Sequence, residues 1–259
     1  MATDIAFTIG ILSLLGNRVP NSLKIFLTAL SVIDDLGAII VIAIFYTTTI
    51  AYANLFVALG IFVFLLLLNR LKIKNLIPYL TGGVVMWYFM LHSGVHATIA
   101  GILLAFAIPF GKGDETSPSN VLLHLLHKQV AFFILPLFAI ANTAIALGTD
   151  LFSGLGDTNG LGIMAGLVIG KPLGIVLFSF LGVILGISTL PSDLKWRNIT
   201  GAGFLGGIGF TMSIFITLLA YTNDDLVNNS KIAVIVASIL AGTIGYTILK
   251  LTLKQEVKE

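Results

Sequence analysis

The sequence predicts an all-α integral membrane protein, a polytopic helical bundle of about nine transmembrane helices. Three observations lead there. Hydrophobic residues make up 57% of the chain and charged residues 10%, with a mean hydropathy of +1.05. A soluble domain carries about 25% charged residues. The apolar residues form long runs without the polar alternation of barrel strands. Lys and Arg, finally, gather in every second connection between those runs.

Taken in order, the apolar runs lie at 4–16, 23–46, 51–68, 76–91, 94–110, 130–148, 161–187, 199–221 and 232–250. Crossing the hydrocarbon takes about 20 apolar residues in a helix, and most runs supply them. The first is short and opens on Asp4; the fourth and fifth are parted only by His92 and Ser93, which predicts a tight re-entry. The whole chain, 1–259, reads as one transmembrane domain.

The odd-numbered connections and the C-terminal segment hold twelve Lys and Arg, while the even-numbered ones hold Lys231 alone. Positive charge favours the cytoplasmic side. The C-terminus is therefore expected inside and residue 1 outside, in a multi-pass protein. An outside start with a short first run suggests an odd number of upstream helices missing from this chain. "MATDIAFTIG" lacks a basic n-region and is not expected to be a signal peptide. With no cysteine, disulfides and Cys-ligated metals are excluded.

Apart from Lys24 and Lys250 at the ends of their runs, four charges stand inside the apolar runs: Asp4, Asp34, Asp35 and Lys171. The acids of "VIDDLGAII" (32–40) sit halfway along the second run, and Lys171 sits near the middle of the seventh. Each such charge costs about 2.5–3.5 kcal/mol at a helix centre, so three unpaired ones cost about 8–10 kcal/mol. A structural tie between Lys171 and one Asp would leave the second Asp unexplained. Adjacent carboxylates in a low dielectric cannot both ionise cheaply, whereas a bound cation favours both anions and expels protons. Hard cations want oxygen ligands. The pair therefore suits either protons or a small cation, in competition.

Helix breakers cluster in the second half. "GKPLG" (170–174) sets Lys171 directly before Pro172, which interrupts regular helix bonding. "GAGFLGGIGFTMS" (201–213) is glycine-rich at mid-span. It reads either as irregular backbone lining a site or as small-residue helix packing. Gly201, Gly203 and Gly206 fit a dinucleotide fingerprint, but no strand precedes them, so that reading is rejected. In "HSGVHATIAG" (92–101), His96 is either a pH-responsive group or a hydrogen-bonding packer. His124, His127 and Lys128 read as solvated on a cytoplasmic connection.

"ATDIAFTIGILSLLGNRVP", "ALSVIDDLGAIIVIAIFYT", "SGVHATIAGILLAFAIP", "PLFAIANTAIAL", "IGKPLGI" and "GIGFTMSIFI" stand in an order that resembles the NhaA-type sodium/proton antiporters, over essentially the whole chain. The resemblance implies an inverted-repeat fold with two interrupted, crossing helices, as that family is generally described. It implies that Asp34 and Asp35 bind the transported Na+ (or Li+) and H+, and that Lys171 pairs with Asp34 when sodium is absent. It further implies that Asp4, beside Thr3, faces the positive ends of two half-helices. Gly207, Gly209 and Thr211 belong to the second interrupted helix. The family normally has twelve spans with both termini inside, so this chain would lack three upstream helices and hold an incomplete first repeat.

Two departures follow. A homodimer is a family expectation, but the segment associated with dimerisation lies among those upstream helices. Val121 and Leu123 stand where familiar members carry an Arg and a Glu on the cytoplasmic funnel, which would alter the pH response. The expected partners are membrane lipid and the transported ions, with no nucleic acid, no cofactor and no enzymatic activity. Two rivals were weighed. An intramembrane aspartyl protease needs acids on facing helices and a G-x-G-D signature, and "GIGF" has no Asp. A passive cation channel is disfavoured because no filter segment repeats.

Overall fold

The computed structural model describes residues 3–45, 50–111, 115, 117–143 and 153–253. Those residues form helices joined by turns and short connections, with no strand among them. In order, the helices are α1 (Ile5–Ser13), α2 (Asn21–Phe45), α3 (Tyr52–Arg70), α4 (Ile77–Leu91), α5 (Thr98–Ala107), α6 (Pro118–Gln129), α7 (Leu135–Thr143), α8 (Thr158–Ala165), α9 (Lys171–Ile184), α10 (Trp196–Gly206), α11 (Phe210–Ala220) and α12 (Asp224–Thr252). π-helical turns at Val130–Ile134 and Gly166–Gly170 join α6 to α7 and α8 to α9.

Every apolar run predicted as a span contains helix, but the lengths differ. Among the described residues, five helical stretches can cross a membrane by length and composition, and a sixth is the pair Trp196–Gly206 and Phe210–Ala220, bent by 46°. α1, α4 and α5 have 9, 15 and 10 residues and fall short of a full crossing. α1 is short because its chain is extended as far as Asp4, whose side chain then caps the helix. The sixth stretch starts earlier than its apolar run: Pro118 opens a helix that reaches Thr143, so exposed His124 and His127 lie on helix rather than in a loop. The expected re-entry between α4 and α5 is a turn over residues 92–97, entered through Gly94 at φ +82°.

Many large apolar side chains point outward, among them Ile33, Phe45, Phe132 and Ile187. That is the surface of a protein whose solvent is lipid.

Two compact units emerge. One comprises residues 1–38 and 138–259, the other residues 39–137. In the first, α10 packs along α12 and against α9. Glycine makes that packing close: a Cβ at Gly207 would sit on the carbonyl oxygen of Leu167, and one at Gly245 would lie 2.9 Å from Gly201 O and from Leu205 N. The core of this unit runs through Leu12, Leu23, Leu27, Ala202, Leu205 and Leu249, with a second cluster around Leu167, Ile214 and Ala237. In the second unit α3, α4 and α5 pack on one another around Ala58, Met86, Met90 and Ala100, and around Leu65 and Tyr79.

Candidate functional site

Asp4, Asp34, Asp35 and Lys171 all fall in the first unit. Its organising feature is the break between α10 and α11. Gly207, Ile208 and Gly209 leave the helix there, so the last carbonyls of α10 and the first N–H groups of α11 need other partners. The segment before α1 and the first turn of α1 supply several of them. The Asp4 N–H donates to Ile208 O at 2.7 Å, the Thr8 hydroxyl donates to Leu205 O at 3.2 Å, and the Thr3 hydroxyl lies 2.9 Å from Gly206 O.

Asp4 serves two helix starts at once. Its Oδ1 accepts from Phe7 N–H in the first turn of α1 at 3.2 Å. Its Oδ2 accepts from Thr211 N–H at 3.1 Å and from the Thr211 hydroxyl at 2.5 Å, in the first turn of α11. Two helix N-termini carry partial positive charge, and a buried carboxylate between them balances both. Asp4 is 3% exposed and Thr3 fully buried, so water contributes little to either.

Thr3 links this break to the Asp pair. Its hydroxyl is 2.7 Å from Asp34 Oδ2 as well as within reach of Gly206 O. A hydroxyl carries one proton, so it donates to one of the two at a time. Asp34 Oδ2 also accepts from Lys171 Nζ at 2.7 Å. Lys171 reaches it from the first residue of α9, directly after the π turn. Pro172 has no N–H to give to the preceding turn, and the wider turn re-spaces the carbonyls there. The helix bulges and continues, which is the form that the "GKPLG" interruption takes.

Asp35 completes the arrangement. Its Oδ1 is buried and has no hydrogen-bond partner among the described residues. A buried, unpartnered carboxylate oxygen is rare because it forfeits solvation without a replacement. It stands next to Asp34, whose own carboxylate is ion-paired.

The structure thus brings Thr3, Asp4, Asp34, Lys171 and Thr211 into one chain of contacts, with Gly207 and Gly209 forming the break beside them. His96 belongs to the other unit, where its backbone carbonyl accepts from Ile99 N–H in the turn before α5. Sequence reasoning missed Ser238 of α12. Its hydroxyl oxygen accepts from Gly209 N–H at 3.2 Å and Phe210 N–H at 3.1 Å, tying down the start of α11. A serine buried in the apolar stretch "VIVASILAG" (234–242) was the available signal.

Charges and irregular backbone gathered at a helix break inside a multi-pass helical membrane protein define the class of ion-coupled secondary transporters. The comparisons narrow the class. Residues 1–249 match the family described as Na+/H+ antiporter 1, and this chain belongs to that family. It is 66% identical over 259 residues to a protein named Na(+)/H(+) antiporter NhaA from Flavobacterium psychrophilum, covering 100% of this chain and 67% of the relative. Proteins of the same name from Cytophaga hutchinsonii and Enterobacter sp. are 60% identical over 255 residues and 49% over 259, covering 98% and 99% of this chain and 66% of each relative. The chain spans about two thirds of the length of these curated relatives.

Proposed function

We propose that this chain exchanges Na+ or Li+ for H+ across the bacterial cytoplasmic membrane, serving sodium and pH homeostasis, and that the ions alternate at Asp34 and Asp35. The observation that carries the reading is the asymmetry of the pair: Asp34 Oδ2 is held by Lys171 at 2.7 Å, while Asp35 Oδ1 is buried without a hydrogen-bond partner among the described residues.

The chemistry follows from that asymmetry. Without a cation, the Lys171 ammonium compensates Asp34, and the empty acceptor on Asp35 takes a proton. An arriving Na+ offers both carboxylates one positive charge. It displaces the ammonium from Asp34 and makes the Asp35 proton unfavourable, so the proton leaves as the cation binds. Among the described residues no group of three or more His, Cys, Asp or Glu could hold a metal ion. Neutral oxygens must therefore complete the shell around a cation at the pair. Such a shell is weaker than a resident metal site, and a transporter has to release its cargo.

Asp4 keeps its charge in this cycle because the starts of α1 and α11 both need it. Gly207 and Gly209 form the break, and Thr211 anchors α11 to Asp4. The C-terminus faces the cytoplasm, as the distribution of Lys and Arg favours.

The test is sodium-driven proton movement in proteoliposomes. Adding NaCl should dissipate a preformed pH gradient with the parent chain. Asp34→Asn and Asp35→Asn should reduce that signal to the level of empty vesicles while membrane insertion is kept. Normal exchange in either variant overturns the site. Independently of transport, NaCl added to the purified protein should release H+ from the parent and not from Asp35→Asn.

A further inference from the structure

Away from the Asp pair, the first unit carries a cavity of about 690 Å³. Its wall includes Arg18 from the turn after α1, Asn21 and Lys24 from the first turn of α2, Asp193 and Lys195 from the segment before α10, and Thr252 from the end of α12. Two spans start here and one ends, so the cavity lies at the rim where the apolar stretches stop. Its charge is lopsided. Among the described residues no carboxylate comes within ion-pair distance of Arg18, Lys24 or Lys195. Asp193, the one acid in the wall among the described residues, already accepts from the Ser22 hydroxyl. The starts of α2 and α10 add partial positive charge, set against the partial negative charge at the end of α12.

A second cavity of about 540 Å³ shares Asn21 with the first. It is walled mainly by apolar groups, including Ile25 and Phe26 of α2, Val183 of α9, Leu190 and Trp196. Ile25 and Phe26 follow Lys24 into the span, so this groove runs inward from the basic cavity. Trp196, the first residue of α10, also lines it, and Trp is enriched at membrane interfaces.

We propose that the two cavities together bind one anionic phospholipid. The phosphate sits among Arg18, Lys24 and Lys195, and an acyl chain lies in the groove past Trp196. Arg18 offers a planar fork that matches phosphate oxygens, and the lysines act as point charges. The apolar groove favours a lipid over a free anion: inorganic phosphate would use the cations and leave the groove empty.

The experiment is native mass spectrometry of the full chain in neutral detergent, with dioleoylphosphatidylglycerol and dioleoylphosphatidylcholine supplied in equal amounts. The parent should retain the glycerol lipid about a hundredfold more than the choline lipid. Each basic residue near an anionic surface contributes about a fivefold preference, so R18Q/K24Q/K195Q should weaken retention of the anionic lipid about a hundredfold. Val183→Trp, which fills the groove, should lower retention of the lipid while leaving any effect of sn-glycerol 3-phosphate on thermal stability in place. Equal retention of both lipids by the parent overturns the proposal, as does undiminished retention by a folded triple variant. Displacement of the lipid by inorganic phosphate at equal concentration overturns it too, leaving a free-anion site. Should the triple variant fail to fold, the two measurements on the parent decide alone.

Discussion

The two units solve the problem of polar groups in an apolar solvent in opposite ways. Among the described residues that are buried and polar or charged, only Ser93 and Ser117 belong to the unit of residues 39–137; the other unit buries Thr3, Asp4, Thr8, Thr211, Ser238 and more. In the α3–α5 unit, polar side chains serve helix ends. Asn54 donates to His92 O, Asn69 donates to Ala107 O, and the Tyr79 hydroxyl donates to Ile73 O. In the first unit they serve a break inside a span. Glycine divides the same way. Gly203, Gly207 and Gly245 abut backbone atoms, whereas Gly82 and Gly83 abut only the ends of Leu65 and Leu104. One unit is ordinary helix packing in lipid. The other accepts broken hydrogen bonding and buried charge, costs that packing does not require and ion exchange does.

The sharpest way to break this contrast is to add one methyl group to each unit. A Cβ at Gly207 has nowhere to go, because the Leu167 carbonyl belongs to a helix that would have to move away as a whole. Gly207→Ala should destabilise the protein by about 3 kcal/mol, the upper part of the range for overpacking. Gly83 is equally buried, yet its added methyl meets only the flexible end of Leu104. Gly83→Ala should cost about 1 kcal/mol. Thermal unfolding in one detergent compares them, and equal losses would show that the glycines of the first unit are not there for backbone approach.

A smaller effect is expected at the double cap. Asp4→Ala leaves Phe7 N–H, Thr211 N–H and the Thr211 hydroxyl without their acceptor. With about 1 kcal/mol per lost cap and a buried donor left over, the loss should be about 2–3 kcal/mol. Asp4→Asn keeps an acceptor oxygen and should lose about 1 kcal/mol, yet it removes the negative charge that faces both helix starts. If charge balance is the role of Asp4, the Asn variant should lose more exchange than stability. A pure capping role predicts the reverse ranking.

The parts of this design that could be read from the sequence are those that violate a strong rule. Asp34, Asp35 and Lys171 stand out because a charge in an apolar run is expensive, and Pro172 stands out because it cannot continue helix bonding. Asp4 and Thr211 were joined only through family resemblance; nothing in spacing brings residues 207 positions apart together. Ser238 escaped because a serine in an apolar helix can return its proton to its own backbone, so its presence costs little and raises no flag. The π turn at Gly166–Gly170 was legible as an interruption but not as a bulge, since the same Gly-Lys-Pro pattern suits either outcome. The early start of α6 was hidden for a different reason. Its helical residues are polar enough to read as a connection, and hydropathy locates the bilayer rather than the helix.

Ser238 therefore offers the finest test of the contrast between the units. Its hydroxyl oxygen receives two N–H groups from the start of α11, inside the first unit and away from water. Ser238→Ala strands both donors and should cost about 1–2 kcal/mol. The matched change in the other unit is Tyr79→Phe. It removes a single bond to Ile73 O on an exposed residue, where water can take over, so about 0.5 kcal/mol is expected. The stability difference is modest, and the functional readout separates the two more clearly. Ser238 fixes the helix start that carries Thr211, and Thr211 holds Asp4 beside the Thr3–Asp34 contact. Loosening that start should raise the sodium concentration giving half-maximal exchange, by about threefold if half of a 1.4 kcal/mol loss reaches the site. Tyr79→Phe should leave that concentration where it was. A shift in both variants, or in neither, would mean that the order at the break is not what tunes the ion site, and the division of labour between the two units would have to be redrawn.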